Sequence, residues 1–256
     1  MNLCIAVLTR GYSDIISYSK LIKRNKHISN NLEDKSIDIL IFHEGNITDE
    51  HQIYIYNETP ELKIKFINIS NISFKNEKIN ILFEEAPNFP IGYRHMCNFW
   101  FIDFWNAVKE YDKLVRIDED CYIDFNIDKI FLKLDACFCI AGVTSIDYDF
   151  VTKGLNDFTI SFINKYNHIF TFKKSDTKGP DGPFTNIFGL SLNKIRENEI
   201  LKKYIIDVDE SNMIYKRRWG DLPLWGEVIY YILGSEELLI DKDIKYFHES
   251  HNSYVN

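Results

Sequence analysis

The chain has 256 residues, 45% hydrophobic and 15% aromatic, with only 11 glycines and 6 prolines, so it is long enough to bury a sizeable core and carries no low-complexity segment. A formal net charge of -8 excludes a general nucleic-acid binder, whose affinity rests on a basic surface, but leaves nucleotide binding through a metal open. Five cysteines, Cys4, Cys97, Cys121, Cys137 and Cys139, lie mostly in apolar stretches without a C-x-x-C pair, which predicts reduced core residues of an intracellular protein.

Leu3 to Leu8 is a continuous apolar run of the kind buried on both faces of a parallel sheet. The start of the chain is far too short to span a bilayer and has neither a basic flank nor a small-residue cleavage site, so it reads as a strand and not a signal. No other run approaches a membrane span, and a soluble, cytoplasmic, single-domain chain over residues 1–256 is expected. Thr9 to Asp14 follows as a loop, and Ile15 to Lys26 has helical spacing in Ile15, Ile16, Tyr18, Leu21 and Ile22. Strand, loop and helix start form a natural nucleotide cradle that places Thr9 and Arg10 on the ligand side. Arg10 is in reach of a phosphate or of Asp118, although an arginine ending a first strand is about as often a structural ion-pair partner.

Ser36 to Phe42 repeats the strand pattern, His43 to Thr48 is its polar exit with Glu44 beside the cradle, and Thr48-Asp49-Glu50 signals a helix start. Leu62 to Ile69 reads as an alternating strand, and Asn71 to Glu84 as a loop with one short helix. After Pro90 a buried helix is expected from Ile91 to about Tyr111, with Tyr93, Arg94 and His95 in a first turn whose backbone N–H groups favour an anion. For His95 a satisfied core position is at least as good a reading.

Lys113 to Ile117 is a short strand that runs into Asp118-Glu119-Asp120. In an extended segment Asp118 and Asp120 share a face while Glu119 points away, which offers two hard oxygen ligands to Mg²⁺ or Mn²⁺. Three adjacent acids are also a common solvated turn. Position favours the metal, because ligands of open α/β sheets gather at the carboxyl ends of strands. Such a metal bridges the phosphates of a nucleotide-sugar and neutralises the departing diphosphate.

Beyond the acids, helices are expected at Ile127 to Leu134, Leu155 to Ile169 and Asn193 to Val208, and strands at Ala136 to Val143, Phe184 to Leu192 and Leu239 to Tyr246. Lys173 to Pro183 is the one long loop and reads as a lid. Asp221, two residues before Pro223, reads as the N-cap of a helix ending near Leu233, and it also suits an acceptor sugar's hydroxyl while Trp219 offers the sugar ring a face. A histidine of the tail Tyr246-Phe247-His248-Glu249-Ser250-His251 reaching back to the metal would complete a mixed oxygen and nitrogen set, with His248 and His251 equal on spacing.

Tyr93-Arg94-His95-Met96-Cys97, Arg116-Ile117-Asp118, Arg218-Trp219-Gly220-Asp221 with Pro223, and Tyr246-Phe247-His248 resemble, in order, four blocks of the fungal α-1,2-mannosyltransferases, glycosyltransferase family 15. The resemblance implies a GT-A (Rossmann-like) α/β fold with a central mixed, mostly parallel sheet flanked by helices, GDP-mannose as donor, Mn²⁺, and retention of configuration. It places Asp118 at the family's metal-binding glutamate, His248 at its metal-binding histidine and Tyr93 at an active-site tyrosine. Asp for Glu shortens the reach by one methylene, so help from Asp120 is expected. The family carries an acid after an asparagine, and Asn186-Ile187-Phe188-Gly189 has none, which leaves retention by a carboxylate nucleophile and the identity of the sugar open.

The reading is a metal-dependent transferase. Asp118, Asp120 and His248 hold Mn²⁺ (or Mg²⁺), and Thr9, Arg10, Glu44, Tyr93, Arg94 and Arg116 line the nucleotide-sugar site. Arg218, Trp219 and Asn186 line the site of a glycan or other hydroxyl acceptor, and Asp221 orients or deprotonates that hydroxyl. A GT-A enzyme for another nucleotide-sugar and an inactive nucleotide- or glycan-binding module are the alternatives. A nucleotidyltransferase is disfavoured, since neither a second acidic pair nor a Gly-rich loop follows the first strand.

Overall fold

In the computed structural model, which describes residues 1–174 and 181–255, the first apolar run forms strand β1 (Leu3–Leu8) with its middle four residues buried. It pairs in parallel with β2 (Asp38–His43) and β4 (Lys113–Ile117), and β3 (Lys63–Asn68) extends the sheet in parallel beyond β2. The other half holds β6 (Cys139–Ala141), β9 (Ile187–Leu190) and β10 (Leu238–Ile240), where β9 runs antiparallel between β4 and β6 and β10 is parallel to β6. The order β10-β6-β9-β4-β1-β2-β3 makes one mixed, mostly parallel sheet of seven strands. Edge strand β3 alternates lysines outward, while β4 is buried throughout despite Lys113 and Arg116, as a central strand between two neighbours must be.

Side-chain alternation assigns the two faces. Cys4, Ala6 and Leu114 enter the larger core with Trp100, Phe101 and Trp225, whereas Ile5, Val115 and Ile117 enter a second core with Ile127, Ile130 and Phe131. Arg116 therefore projects to the larger core's side, and its guanidinium stacks over the Trp100 ring at 4.5 Å.

A smaller antiparallel sheet decides where the site forms. It contains β5 (Cys121–Ile123), β11 (Tyr246–His248) and β12 (Ser253–Val255). Its register sets His248 opposite Cys121 and Phe247 opposite Tyr122, so the near-terminal histidine lies one residue from the acidic turn. A two-residue ladder joins β7 (Thr144–Ser145) to β8 (Gly182–Pro183), and a Cβ at Gly182 would meet Leu222 O at 2.1 Å, so only glycine fits there.

Several expected boundaries shift. The first helix starts at Ser19, after a 3₁₀ turn over Ile15–Tyr18 capped by Asp14, and runs to Asn31. The helix from Ile91 passes through a π-turn at Phe99–Asp103 and ends at Ala107. Asn193 to Val208 splits into Leu192–Ile195 and Glu199–Ser211 because Asn198 caps the second piece through Leu201 N. The expected strand Leu239 to Tyr246 is two strands on different sheets, β10 and β11, separated by a turn in which Ile244 N donates to Asp241 O. Thr48 does cap the helix Asp49–Asn57. Within the expected lid, residues 175–180 lie outside the described residues. All five cysteines are buried and free, and no helix among the described residues is long and apolar enough to cross a membrane.

Candidate active site

The acidic turn sits between two cavities at the carboxyl ends of β1 and β4. One, about 520 Å³, is lined by Thr9, Arg10, Glu44, Phe74, Tyr93, Met96, Trp100 and Glu119; the other, about 700 Å³, by Asp147, Tyr148, Asn186, Arg218, Asp221 and His248 among others. Tyr93, Met96, Arg116, Asp118 and Asp120 line both. A ligand reaching from one cavity to the other must cross the carboxylates.

β4 ends at Ile117, and its final carbonyl accepts 2.9 Å from the Nε of buried Arg24, while Asp118 N donates to Asn186 O at 2.9 Å. The chain then turns, Cys121 N donating to Asp118 O at 3.1 Å. Strand alternation consequently stops at Ile117. Glu119, expected to face away, instead accepts from Thr9 Oγ1 and from Tyr12 OH (3.2 Å) in the same cleft. Burial pushes the Glu119 and Asp118 carboxyls up, against hydrogen bonds from Thr9 and Tyr12 in one case and the Arg116 charge in the other.

Arg116 is the hinge of the cluster. Its Nε and Nη2 donate to the two Asp118 oxygens at 2.8 and 3.1 Å, and Nη1 donates to Asp221 Oδ2 at 2.5 Å. Burial works against that guanidinium's charge, but Asp118 and Asp221 hold its pKa above the ordinary arginine value. Asp120 turns to the tail, where its Oδ2 lies 3.5 Å from His248 Nε2 and accepts from Ser250 N at 3.3 Å. Burial raises the Asp120 carboxyl, and the His248 and Ser250 contacts outweigh it, so the net shift is well downward. Asn186 Nδ2 closes the circuit, 3.5 Å from Asp118 Oδ2 and 3.3 Å from His248 Nε2.

Asp120, Cys121 and His248 bring ligand atoms within 4.8 Å of one another. Burial raises the Cys121 thiol's pKa and so disfavours its thiolate; beside it stand a carboxylate and an imidazole, with a further carboxylate, Asp118, across Asn186. Such a mixed oxygen and nitrogen set fits Mn²⁺ better than Mg²⁺, which prefers oxygen alone. Of the two histidines, His248 is buried and holds this place; His251 is exposed and stacks on it at 4.3 Å.

Not every expected residue reaches the cleft surface. Arg94 is fully buried and donates to the carbonyls of Phe89, Glu85, Ala86 and Tyr215, so it builds the segment before the Ile91 helix and is not free for a phosphate. Burial lowers its pKa to about 10. His95 is likewise core, its Nδ1 3.0 Å from Tyr215 OH. Trp219 is 1% exposed, with Nε1 donating to Lys153 O at 3.2 Å and the ring edge-on to Phe158, so it presents no face to a sugar. Arg10 does not reach Asp118; it is exposed and lies over the Tyr12 ring at 5.1 Å, because Arg116 already occupies both Asp118 oxygens. Asp221 is the first residue of its helix, not the cap. Gly220 caps, and the Asp221 carboxylate is spent on Arg116.

Arg218 is buried at φ 66°, a left-handed conformation that non-glycine residues seldom adopt, and this aims its guanidinium between Phe89 (4.3 Å) and Tyr93 (4.8 Å). It donates to Asp147 Oδ2 and, at 2.8 Å, to Tyr93 OH, while its buried Nε has no partner among the described residues. Sequence reasoning overlooked Asp147, in irregular chain, and Ser250, in a single 3₁₀ turn (Glu249–His251), neither long enough to give a periodic signal.

The seven-strand sheet and this cleft define a GT-A fold, the fold of nucleotide-sugar glycosyltransferases. The solved structures most like it include the mannosyltransferase Ktr4p of Saccharomyces cerevisiae (TM-score 0.77, 15% identity, 96% of this chain and 70% of that one) and core-mannan synthase A of Aspergillus fumigatus in its Mn/GDP form (0.76, 14%, 97% and 74%). Mouse xyloside xylosyltransferase 1 is a more distant neighbour (0.56, 12%, 94% and 85%). No protein-family model matches the sequence, and no curated protein does.

Proposed function

We propose that the chain is a metal-dependent hexosyltransferase that moves a sugar, mannose from GDP-mannose as first choice, from a nucleoside diphosphate donor to a hydroxyl acceptor. The observation that carries this reading is the meeting of Asp120 with His248, and of Asp118 with His248 through Asn186, on the wall between two cavities. Those residues would hold Mn²⁺ (or Mg²⁺), which when bound neutralises charge on a departing diphosphate. The neighbours support the donor class, one of them having been solved in a Mn/GDP form.

In this reading the smaller cavity takes the nucleoside, packed against Trp100, Met96 and Phe74, with Thr9, Arg10 and Glu44 at its rim. The larger cavity takes the acceptor. Asp221, whose Oδ2 is held by Arg116, orients the acceptor hydroxyl. Arg218 and Asn186 bind its other hydroxyls. Asp147 and Asp221, which line the larger cavity, are each engaged by an arginine, so neither is a free nucleophile. Attack from the leaving group's own side therefore fits better than a covalent sugar intermediate. The same pairing favours the second reading, a donor-binding module without turnover.

Hydrolysis screened across GDP-, UDP- and TDP-sugars with Mn²⁺ tests the proposal. We expect release of GDP from GDP-mannose, and an Asp221→Asn variant that keeps donor binding but loses transfer to added glycosides. GDP binding without turnover of any donor would establish the module, and no binding of any nucleotide would overturn both.

A further inference from the structure

The aromatic face that Trp219 withholds is supplied by residues outside every block of family resemblance. The chain leaves β7 at Ser145 and runs Ile146-Asp147-Tyr148-Asp149-Phe150 along the rim of the larger cavity, where Ile146 is 73%, Tyr148 68% and Phe150 48% exposed. Tyr148 and Phe150 stack on each other, ring centroids 5.5 Å apart and 19° between planes. This is not slack chain. Asp147, gripped by Arg218, accepts from Tyr148 N at 2.9 Å, Val151 N donates to Tyr148 O at 3.0 Å, and Val151 itself is fully buried. The rings are held out by an anchored turn, side by side at the mouth of the cavity.

Tyr148 and Ile146 line the cavity and Phe150 lies beyond it, so the ledge starts beside Asp221 and leads outward. Polar groups for hydroxyls (Asp147, Arg218, Asn186) line the inner end and flat apolar rings make the outer end. That order suits a chain of pyranoses, each with hydroxyl edges and an apolar face. Resting on the transferase reading above, we infer that the acceptor is an oligosaccharide whose sugars behind the accepting one stack on Tyr148 and Phe150.

The test is a binding measurement made without donor. Methyl glycosides of mannose, glucose and galactose, and their linear trisaccharides, are titrated against the protein by saturation-transfer NMR. For at least one sugar series we expect the trisaccharide to bind roughly tenfold tighter than the monosaccharide, the scale of one or two aromatic contacts. Tyr148→Ala/Phe150→Ala should erase that gain, so that trisaccharide and monosaccharide bind alike, and Tyr148→Phe should keep it. A gain that survives the double alanine variant, or no gain in the wild type, overturns the ledge. So does a concentration-dependent dimer of the wild type that the double variant abolishes, which would give the rings to a second copy of the chain. Adding donor afterwards tests turnover separately: absent turnover with an intact length-dependent gain condemns the transferase reading and not the ledge.

Discussion

The two ends of the central sheet treat buried carboxylates in opposite ways. At the amino end of β2, Asp38 receives Lys63 (2.9 Å), Lys65 (2.6 Å) and Tyr111 OH (2.8 Å) beside a cavity of about 400 Å³. Burial pushes its carboxyl up, and the two lysines and the tyrosine bring it below the ordinary value. At the carboxyl end of β4, Asp118 and Asp221 share Arg116, Asp120 turns to His248 and Glu119 has only hydroxyl donors, with Arg24 beneath the turn. There burial wins at Asp118 and Glu119. The chain neutralises one cluster by itself and leaves the other short of positive charge. A balanced cluster serves the fold; an unbalanced one suits a cation from solution.

Substitutions can break this contrast. The largest effect is expected for Arg116→Met, which leaves buried Asp221 and partly buried Asp118 without their shared cation: a loss of about 3 kcal/mol in urea unfolding. Loss below about 1 kcal/mol would mean that Asp118 and Asp221 do not depend on it.

Glu227 sharpens the point, because it is a buried acid that accepts from Asn156 Nδ2 at 3.4 Å and has no ion-pair partner among the described residues. Burial raises its pKa to about 7 from 4.5. Between those values the native state keeps a proton that the unfolded state has lost, so Glu227 makes stability fall as pH rises through that window. Glu227→Gln should therefore stabilise by up to about 3 kcal/mol at pH 8 and by nothing at pH 4, read from melting curves across pH. Equal effects at both pH values would place the carboxylate in solvent. The smallest effect belongs to the balanced end. Lys65→Met removes a lysine with 44% of its side chain exposed, and Asp38 keeps Lys63 and Tyr111, so less than about 1 kcal/mol should be lost.

Much of this was legible beforehand, and the failures share a cause. Strand Lys113–Ile117 is recognisable because an apolar run ends abruptly in acids, and the meeting of the acidic turn with His248 follows from four blocks in the right order. Periodicity reports burial, not partners. It cannot say that Arg94 is consumed by four carbonyls while Arg218 reaches the cleft, or that Trp219 turns inward while Tyr148 turns out. Glu119 departs from expectation because alternation holds only to Ile117, and the three acids beyond it lie in a turn. The tail differs for a related reason: Leu239 to Tyr246 is apolar at both ends around Asp241-Lys242-Asp243, and those three charged residues are the turn that sends its halves to different sheets.

The central claim is that the acidic turn and the tail histidine jointly bind a divalent ion that recruits a diphosphate. Thermal unfolding with GDP, with and without Mn²⁺, measures this directly in the wild type and in His248→Ala. We expect GDP to raise the wild-type melting temperature only when Mn²⁺ is present, by the equivalent of about 2–3 kcal/mol at a hundredfold excess over Kd, and to leave His248→Ala unmoved while that variant still melts cooperatively. Stabilisation by GDP that ignores Mn²⁺, or that survives the loss of His248, would contradict the claim.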